Sequence, residues 1–211
     1  MIWLHVPKTG GTWLRQVLRA HAPRDWELVE HPEHRSLDGA ALDGRSVWSM
    51  CRNPWDWHVS LFSFWRNAYV QHLGTFAMDP EKLRREDAAI ASLMESSGQE
   101  FKSWLRGLLI DERIHWTSMT RALQLLWAQD DLSSLPGTLV RFEDLRRGSL
   151  DFLRRSGHRI PLSLTMAILS ARVANASPRP ATADCYDAES SGWIEEREAR
   201  LISAVGYERP F

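Results

Sequence analysis

The run Ile2-Trp3-Leu4-His5-Val6-Pro7-Lys8-Thr9-Gly10-Gly11-Thr12-Trp13-Leu14 reads as a strand, a loop and a helix in immediate succession. Ile2 to Val6 is a short apolar segment suited to a buried strand. Pro7 lacks a backbone donor and stops the ladder. Gly10 and Gly11 allow the turn its unusual dihedrals and let the backbone approach a ligand closely. Thr12 opens a helix on which Leu14, Val17 and Leu18 recur at helical spacing. The N–H groups of such a helix start, with the helix dipole behind them, make an anion site. Lys8 adds a full positive charge, and the hydroxyls of Thr9 and Thr12 add donors.

Working outward, a second anion signature follows. Arg45 to Cys51 reads as another buried strand, and Arg52 stands at its carboxyl end. Ligands in open α/β sheets bind outside those ends, and the planar fork of arginine suits a phosphate. Pro54 is placed to start the next helix, Asp56 to cap it or pair with a cation, and Ser60 lies two turns along. The order of residues in the first loop differs from that of a nucleotide-triphosphatase loop, G-x-x-x-x-G-K-[ST]. Here Lys8 precedes the glycines and no leading glycine is present, which is a poor fit to an ATPase or kinase.

These residues resemble the sulfotransferases that use 3'-phosphoadenosine-5'-phosphosulfate (PAPS). Pro7-Lys8-Thr9-Gly10-Gly11-Thr12-Trp13-Leu14 is similar to their 5'-phosphosulfate loop, and Arg52-Asn53-Pro54-Trp55-Asp56 through Ser60 to their 3'-phosphate motif. Leu139-Val140-Arg141-Phe142-Glu143-Asp144-Leu145 resembles a late strand and turn of the family. Asn175, Ser177, Tyr186-Asp187 and Val205-Gly206-Tyr207 resemble its C-terminal segment. The resemblance says little about residues 67–135.

The resemblance implies a P-loop-like sulfotransferase fold, a three-layer sandwich around a central, mostly parallel sheet. It implies transfer of a sulfuryl group from PAPS to a hydroxyl or amine by in-line displacement, leaving adenosine 3',5'-bisphosphate. Positioning and charge stabilisation would supply most of the catalysis, as in phosphoryl transfer. By the same match Lys8 would stabilise charge on the bridging oxygen. Pro7 through Trp13 would hold the 5'-phosphate, chiefly by the backbone donors of Thr9 to Thr12, and Arg52 with Ser60 the 3'-phosphate. The loop before the closing helix often lies over the nucleotide in this family, which makes Arg179 a further contact. The scheme requires no metal, and His31 and His34 have no matching Cys or His pair beside them.

An acceptor hydroxyl also needs a general base. Trp26 to Val29 reads as a strand and Glu30-His31-Pro32-Glu33-His34-Arg35-Ser36 as the loop after it. Loops at strand ends carry catalytic groups, and histidine titrates near neutrality. His34-Arg35-Ser36 is similar to a histidine-bearing segment of the family, so His34 is the first candidate and His31 the second, with Glu30 and Glu33 open. His5, His72 and His115 read as structural or surface residues.

At 211 residues the chain can bury a core as one domain, 1–211. Its 26 basic and 27 acidic residues give no bulk electrostatic case for nucleic acid. Arg146-Arg147 with Arg154-Arg155 reads as a solvated helix face. The two cysteines, Cys51 and Cys185, make no disulfide framework. The first apolar run is too short to span a membrane and leads straight into the loop, so a cytoplasmic, bacterial or phage-like enzyme is expected.

Helices are expected over Pro54 to His72, Pro80 to Met94, Gln99 to Ile110, Thr117 to Trp127 and Glu189 to Val205, and a strand over Thr138 to Phe142 after the Pro136-Gly137 turn. Of the eleven tryptophans, Trp55, Trp57, Trp65, Trp104 and Trp116 fall where an acceptor cleft is expected; most read as core. A carbohydrate, a phenol or tyrosine, or a small natural product all remain open as acceptor, as does the oligomeric state. Two other functions stay in view: a Mg²⁺-dependent, ATP-using phosphotransferase, and a binding module for adenosine bisphosphate without turnover.

Overall fold

Short apolar runs bounded by proline and glycine become the strands. The computed structural model describes residues 1–24, 26, 29–31, 46–71, 85–114, 116–135, 138–172 and 178–211. The strands are β1 (Ile2–Leu4), β2 (Val29–His31), β3 (Val47–Cys51) and β4 (Leu139–Arg141), all parallel, in the order β2-β1-β3-β4. Ile2 faces Val29 on one side and Val47 on the other, and Cys51 pairs with Arg141. Every residue of β1 and β3 is buried, as parallel strands covered on both faces require. Among the described residues the chain is α/β, mostly helical, with this small parallel sheet.

The boundaries of β1 and β2 differ from the sequence reading in ways that bear on the site. β1 stops at Leu4, two residues early, because Thr9 turns its hydroxyl back onto the Val6 carbonyl at 2.7 Å and draws Val6 into the loop. β2 is Val29–His31; Trp26 is outside it, and residues 27 and 28 of the expected strand lie outside the described residues. Glu30 and His31 are therefore strand residues, with His31 opposite Leu4 at the carboxyl end of the sheet.

The chain divides into two compact units, Met1–Asn53 with Leu123–Ala176, and Pro54–Ala122 with Ser177–Phe211. In the first, α1 (Gly11–His21), α6 (Leu145–Arg155) and α7 (Leu162–Ser170) cover one face of the sheet. Their Trp13, Leu14, Val17, Leu150, Phe152, Leu153, Leu164 and Ile168 pack on Trp3, Trp48, Met50 and Val140. Trp48 stacks on Phe152 with ring centres 4.7 Å apart. The basic cluster is only partly the solvated face expected. Arg147, Arg154 and Arg155 are exposed, but Arg146 donates to the carbonyls of Ile168 and Ala171 and so closes the C-terminus of α7.

The second unit holds α2 (Pro54–Gln71), α3 (Arg85–Ser96), α4 (Phe101–Ile110), α8 (Thr182–Cys185), α9 (Ala188–Arg197), α10 (Ala199–Val205) and the start of α5 (Met119–Trp127). Its centre is aromatic: Phe62 meets Phe101 and Trp104, Trp65 meets Trp104, and Phe101 meets Tyr186, all with ring centres 5.0–5.7 Å apart. Trp55, Trp57, Trp65, Trp104 and Trp116 are all buried, so they serve as core. Trp55 satisfies its indole N–H on Ser191 Oγ at 3.0 Å. One closing helix was expected from Glu189 to Val205. It breaks into α9 and α10 at Glu198, which is wholly buried and accepts from the Met119 and Thr120 amides at 2.7 Å each.

His58, on α2, is also wholly buried. Its Nδ1 lies 2.8 Å from the Pro54 carbonyl and its Nε2 3.4 Å from that of Thr117. Burial pushes the imidazole below its ordinary 6.5, against the pull of Glu198 and the two carbonyls. The unfolded chain therefore binds this proton first. The contribution to stability is full above pH 6.5 and falls as pH drops from there toward the depressed native value. Urea unfolding at stepped pH is expected to show the wild type losing up to about 1.4 kcal/mol per pH unit more than His58→Asn below that point. Parallel pH profiles for the two proteins would refute it.

Candidate functional site

In the order β2-β1-β3-β4 the chain leaves β1 for one neighbour and later returns beside it on the other side. The switch falls between β1 and β3, and in open α/β sheets the crevice at the carboxyl ends of such a strand pair is where ligands bind. The loop after β1 and Arg52 after β3 both stand there. Sequence reasoning placed them at strand ends; the strand order makes those ends adjacent.

The loop is held from within. Thr9 is fully buried and its hydroxyl donates to the Val6 carbonyl, so the side chain shapes the loop. Lys8 sits at φ 64, a left-handed conformation that costs a side-chain-bearing residue about 1–2 kcal/mol. Gly10 takes φ 91 as the residue before α1, and no side chain caps the helix start. The first intrahelical bond there is Leu14 N–H to the Gly10 carbonyl, 3.1 Å. An uncapped first turn of this kind is the local geometry in which helix amides can meet an anion.

Gly11 is required for a reason the sequence did not disclose. A Cβ at this position would lie 2.1 Å from His5 Nε2. The His5 ring is buried beside Trp3, with ring centres 5.0 Å apart, so a side chain at position 11 would have to displace it. His5 thus packs directly against the start of α1. Trp13, the last residue assigned to the loop, is buried, and the Arg146 guanidinium lies over its ring at 5.6 Å. Pro7 and Thr12 are half-buried.

Arg52 is only 6% exposed. Its Nη1 donates to the Lys8 carbonyl at 2.9 Å, and its guanidinium carbon lies 4.3 Å from the centre of the Phe142 ring. The next residue is tied as well, since the Asn53 amide donates to Glu143 Oε1 at 2.7 Å. Phe142 and Glu143 belong to a 3-10 turn (Phe142–Asp144) that leaves β4. The same turn backs the loop: a Cβ on Gly10 would be 2.8 Å from Leu145 and 3.2 Å from Phe142. Three consecutive strand ends, β1, β3 and β4, are thus knitted together at one place. Phe142 and Glu143 were quoted in the sequence only for a likeness. The available signal was an aromatic-acidic pair directly after a strand, at the level of Arg52.

Of the remaining predicted residues, Ser60 and Arg179 belong to the second unit, Glu30 and His31 to β2, and the others lie outside the described residues. Ser60 is buried on α2, in the second unit. Arg179, also in the second unit, donates to Asp56 at 2.5 Å, and Thr182 Oγ1 reaches the same carboxylate at 2.7 Å. That pairing fixes residues 179–182 to the first turn of α2. His31 has its backbone in β2, while His34, Glu33, His72, His115, Asn175 and Ser177 lie outside the described residues.

Among the described residues no cluster of three or more His, Cys, Asp or Glu is arranged to hold a metal ion, and no helix is long and apolar enough to cross a membrane. Two grooves flank α4: one of about 590 Å³ beside Trp193, Arg106 and Arg197, another of about 510 Å³ beside Ser92, Ser96 and Arg113. Compared with known proteins, the chain matches no family model, no curated protein and no solved structure.

Proposed function

We propose that this chain is a PAPS-dependent sulfotransferase of the three-layer, P-loop-like class. The observation that carries the reading is the meeting, at one switch point, of a lysine-bearing loop that feeds a helix start and an arginine fork bonded to that loop at 2.9 Å. The donor groups gathered there are amides, an ammonium and a guanidinium, a set suited to a polyanion. A PAPS donor supplies an electrophilic sulfur whose bond to the phosphate oxygen breaks as a bond to the acceptor oxygen or nitrogen forms.

The residues have distinct tasks in this reading. The amides of Thr9 to Thr12, shaped by Pro7 and backed by Trp13, hold the 5'-phosphate end. The Lys8 ammonium neutralises charge as it develops on the departing oxygen. Arg52 holds the 3'-phosphate. A role for the Ser60 hydroxyl there rests on its sequence spacing from Arg52, and contact by Arg179 would require it to leave Asp56. His34, with His31 next, takes the acceptor proton. The acceptor is a carbohydrate, a phenol or tyrosine, or a small natural product.

Calorimetric titration with adenosine 3',5'-bisphosphate, beside ATP with Mg²⁺, tests the donor class. Binding of the bisphosphate is expected, weakened roughly 10–100-fold in Arg52→Ala by loss of a charged hydrogen bond. A response to ATP alone would favour the phosphotransferase, and a response to neither would end the nucleotide reading. Bisphosphate binding with no transfer to any acceptor would leave a binding module.

A further inference from the structure

We propose that Arg52 is a positioning residue for Lys8 as well as an anion ligand: through the Lys8 carbonyl it holds the loop in its left-handed turn, so that charge bound at Arg52 and placement of the Lys8 ammonium are coupled. The inference rests on the reading of this site as one for a nucleotide phosphate.

Three observations carry it. Lys8 is a side-chain-bearing residue at φ 64, a conformation that persists only where surroundings over-determine it. The Arg52 Nη1–Lys8 carbonyl bond of 2.9 Å restrains that residue directly, and it is made by an arginine that is only 6% exposed. The guanidinium lies over the Phe142 ring, 4.3 Å from its centre, while Glu143 holds the following residue by its amide at 2.7 Å. Phe142 also touches the position above Gly10, so the surface that orients the guanidinium supports the loop two residues beyond Lys8.

An arginine can serve both ends because its fork presents several donors in one rigid plane. Lysine keeps the charge but is a single point donor on a flexible stem, so Arg52→Lys should keep part of the anion affinity and lose the hold on the loop. Phe142→Leu should leave the charge untouched and let the guanidinium turn. Neither effect follows from a role as phosphate ligand alone.

Hydrogen exchange on the full-length chain without ligand tests this. The Leu14 amide, bonded to the Gly10 carbonyl at 3.1 Å, is expected to exchange at least about tenfold faster in Arg52→Lys, as for loss of one charged hydrogen bond at the loop that carries its acceptor, and measurably faster in Phe142→Leu. Amides of β3 and α6 should keep wild-type protection. Unchanged exchange at Leu14 in both variants would overturn the proposal. So would an equal loss of protection over Leu14, β3 and α6, since Arg52 would then hold the whole sheet. Adenosine 3',5'-bisphosphate added to the wild type should slow exchange at 8–12, and do so less in Phe142→Leu. If the loop responds to the substitutions as expected but the wild type ignores the bisphosphate, the nucleotide reading fails and the clamp stands. If the bisphosphate binds and the substitutions leave the loop unmoved, the clamp fails and the nucleotide reading stands.

Discussion

Lys8→Ala is expected to lower sulfuryl transfer by roughly 10²–10³-fold, the loss typical of removing one charge-stabilising group from a transition state. The effect should fall on kcat, because the ammonium matters most when the bridging oxygen gains charge. Binding of adenosine 3',5'-bisphosphate should change far less, since helix-start amides and Arg52 remain. One structural feature complicates the substitution and also supplies its control. Lys8 stands at φ 64, where alanine is strained as lysine is and glycine is not. Lys8→Gly removes the ammonium while relieving the backbone. A loss shared by both variants assigns the effect to the missing charge. Full transfer by Lys8→Gly would mean that the ammonium takes no part, and the proposed mechanism would fall with it.

The second large effect is on stability. Glu198→Ala should cost about 3 kcal/mol or more, because it deprives the buried Met119 and Thr120 amides of their acceptor. These amides open α5, so the carboxylate also answers the positive end of that helix. Glu198→Gln keeps one carbonyl oxygen but replaces the other acceptor with a donor, and should lie between wild type and alanine. Urea unfolding of the three proteins measures this. A difference under about 0.5 kcal/mol between wild type and Glu198→Ala, the range of an ordinary surface change, would refute the assignment. Since the chain has two compact units, the loss should appear in the transition of the unit that contains Glu198.

What could be read along the chain was local. The loop from Pro7 to Thr12 is legible because proline ends a ladder and paired glycines turn the backbone whatever surrounds them. Arg52 is legible at a strand end because the apolar run before it has the length of a strand and Pro54 opens a helix. The misplacement of β2 has an equally local origin: Trp26, Leu28 and Val29 carry the apolar signal, while the ladder is set by pairing with β1, which takes Val29–His31. The single closing helix was misread because the pattern from Glu189 to Val205 is continuous, and nothing in it shows that Glu198 turns inward to serve a helix start 79 residues earlier.

The candidate site divides in the same way. By itself the sequence determined the type of each charged group, the strand-loop-helix that carries Lys8 and the strand that delivers Arg52, because residue chemistry and hydrophobic period are properties of short segments. Only the tertiary structure decided that these strands are neighbours, that Arg52 bonds the Lys8 carbonyl, that Phe142 and Glu143 brace it, and that His5 crowds the Cβ position of Gly11. Those are contacts between segments up to 90 residues apart, and strand order, which no local pattern encodes, brings them together.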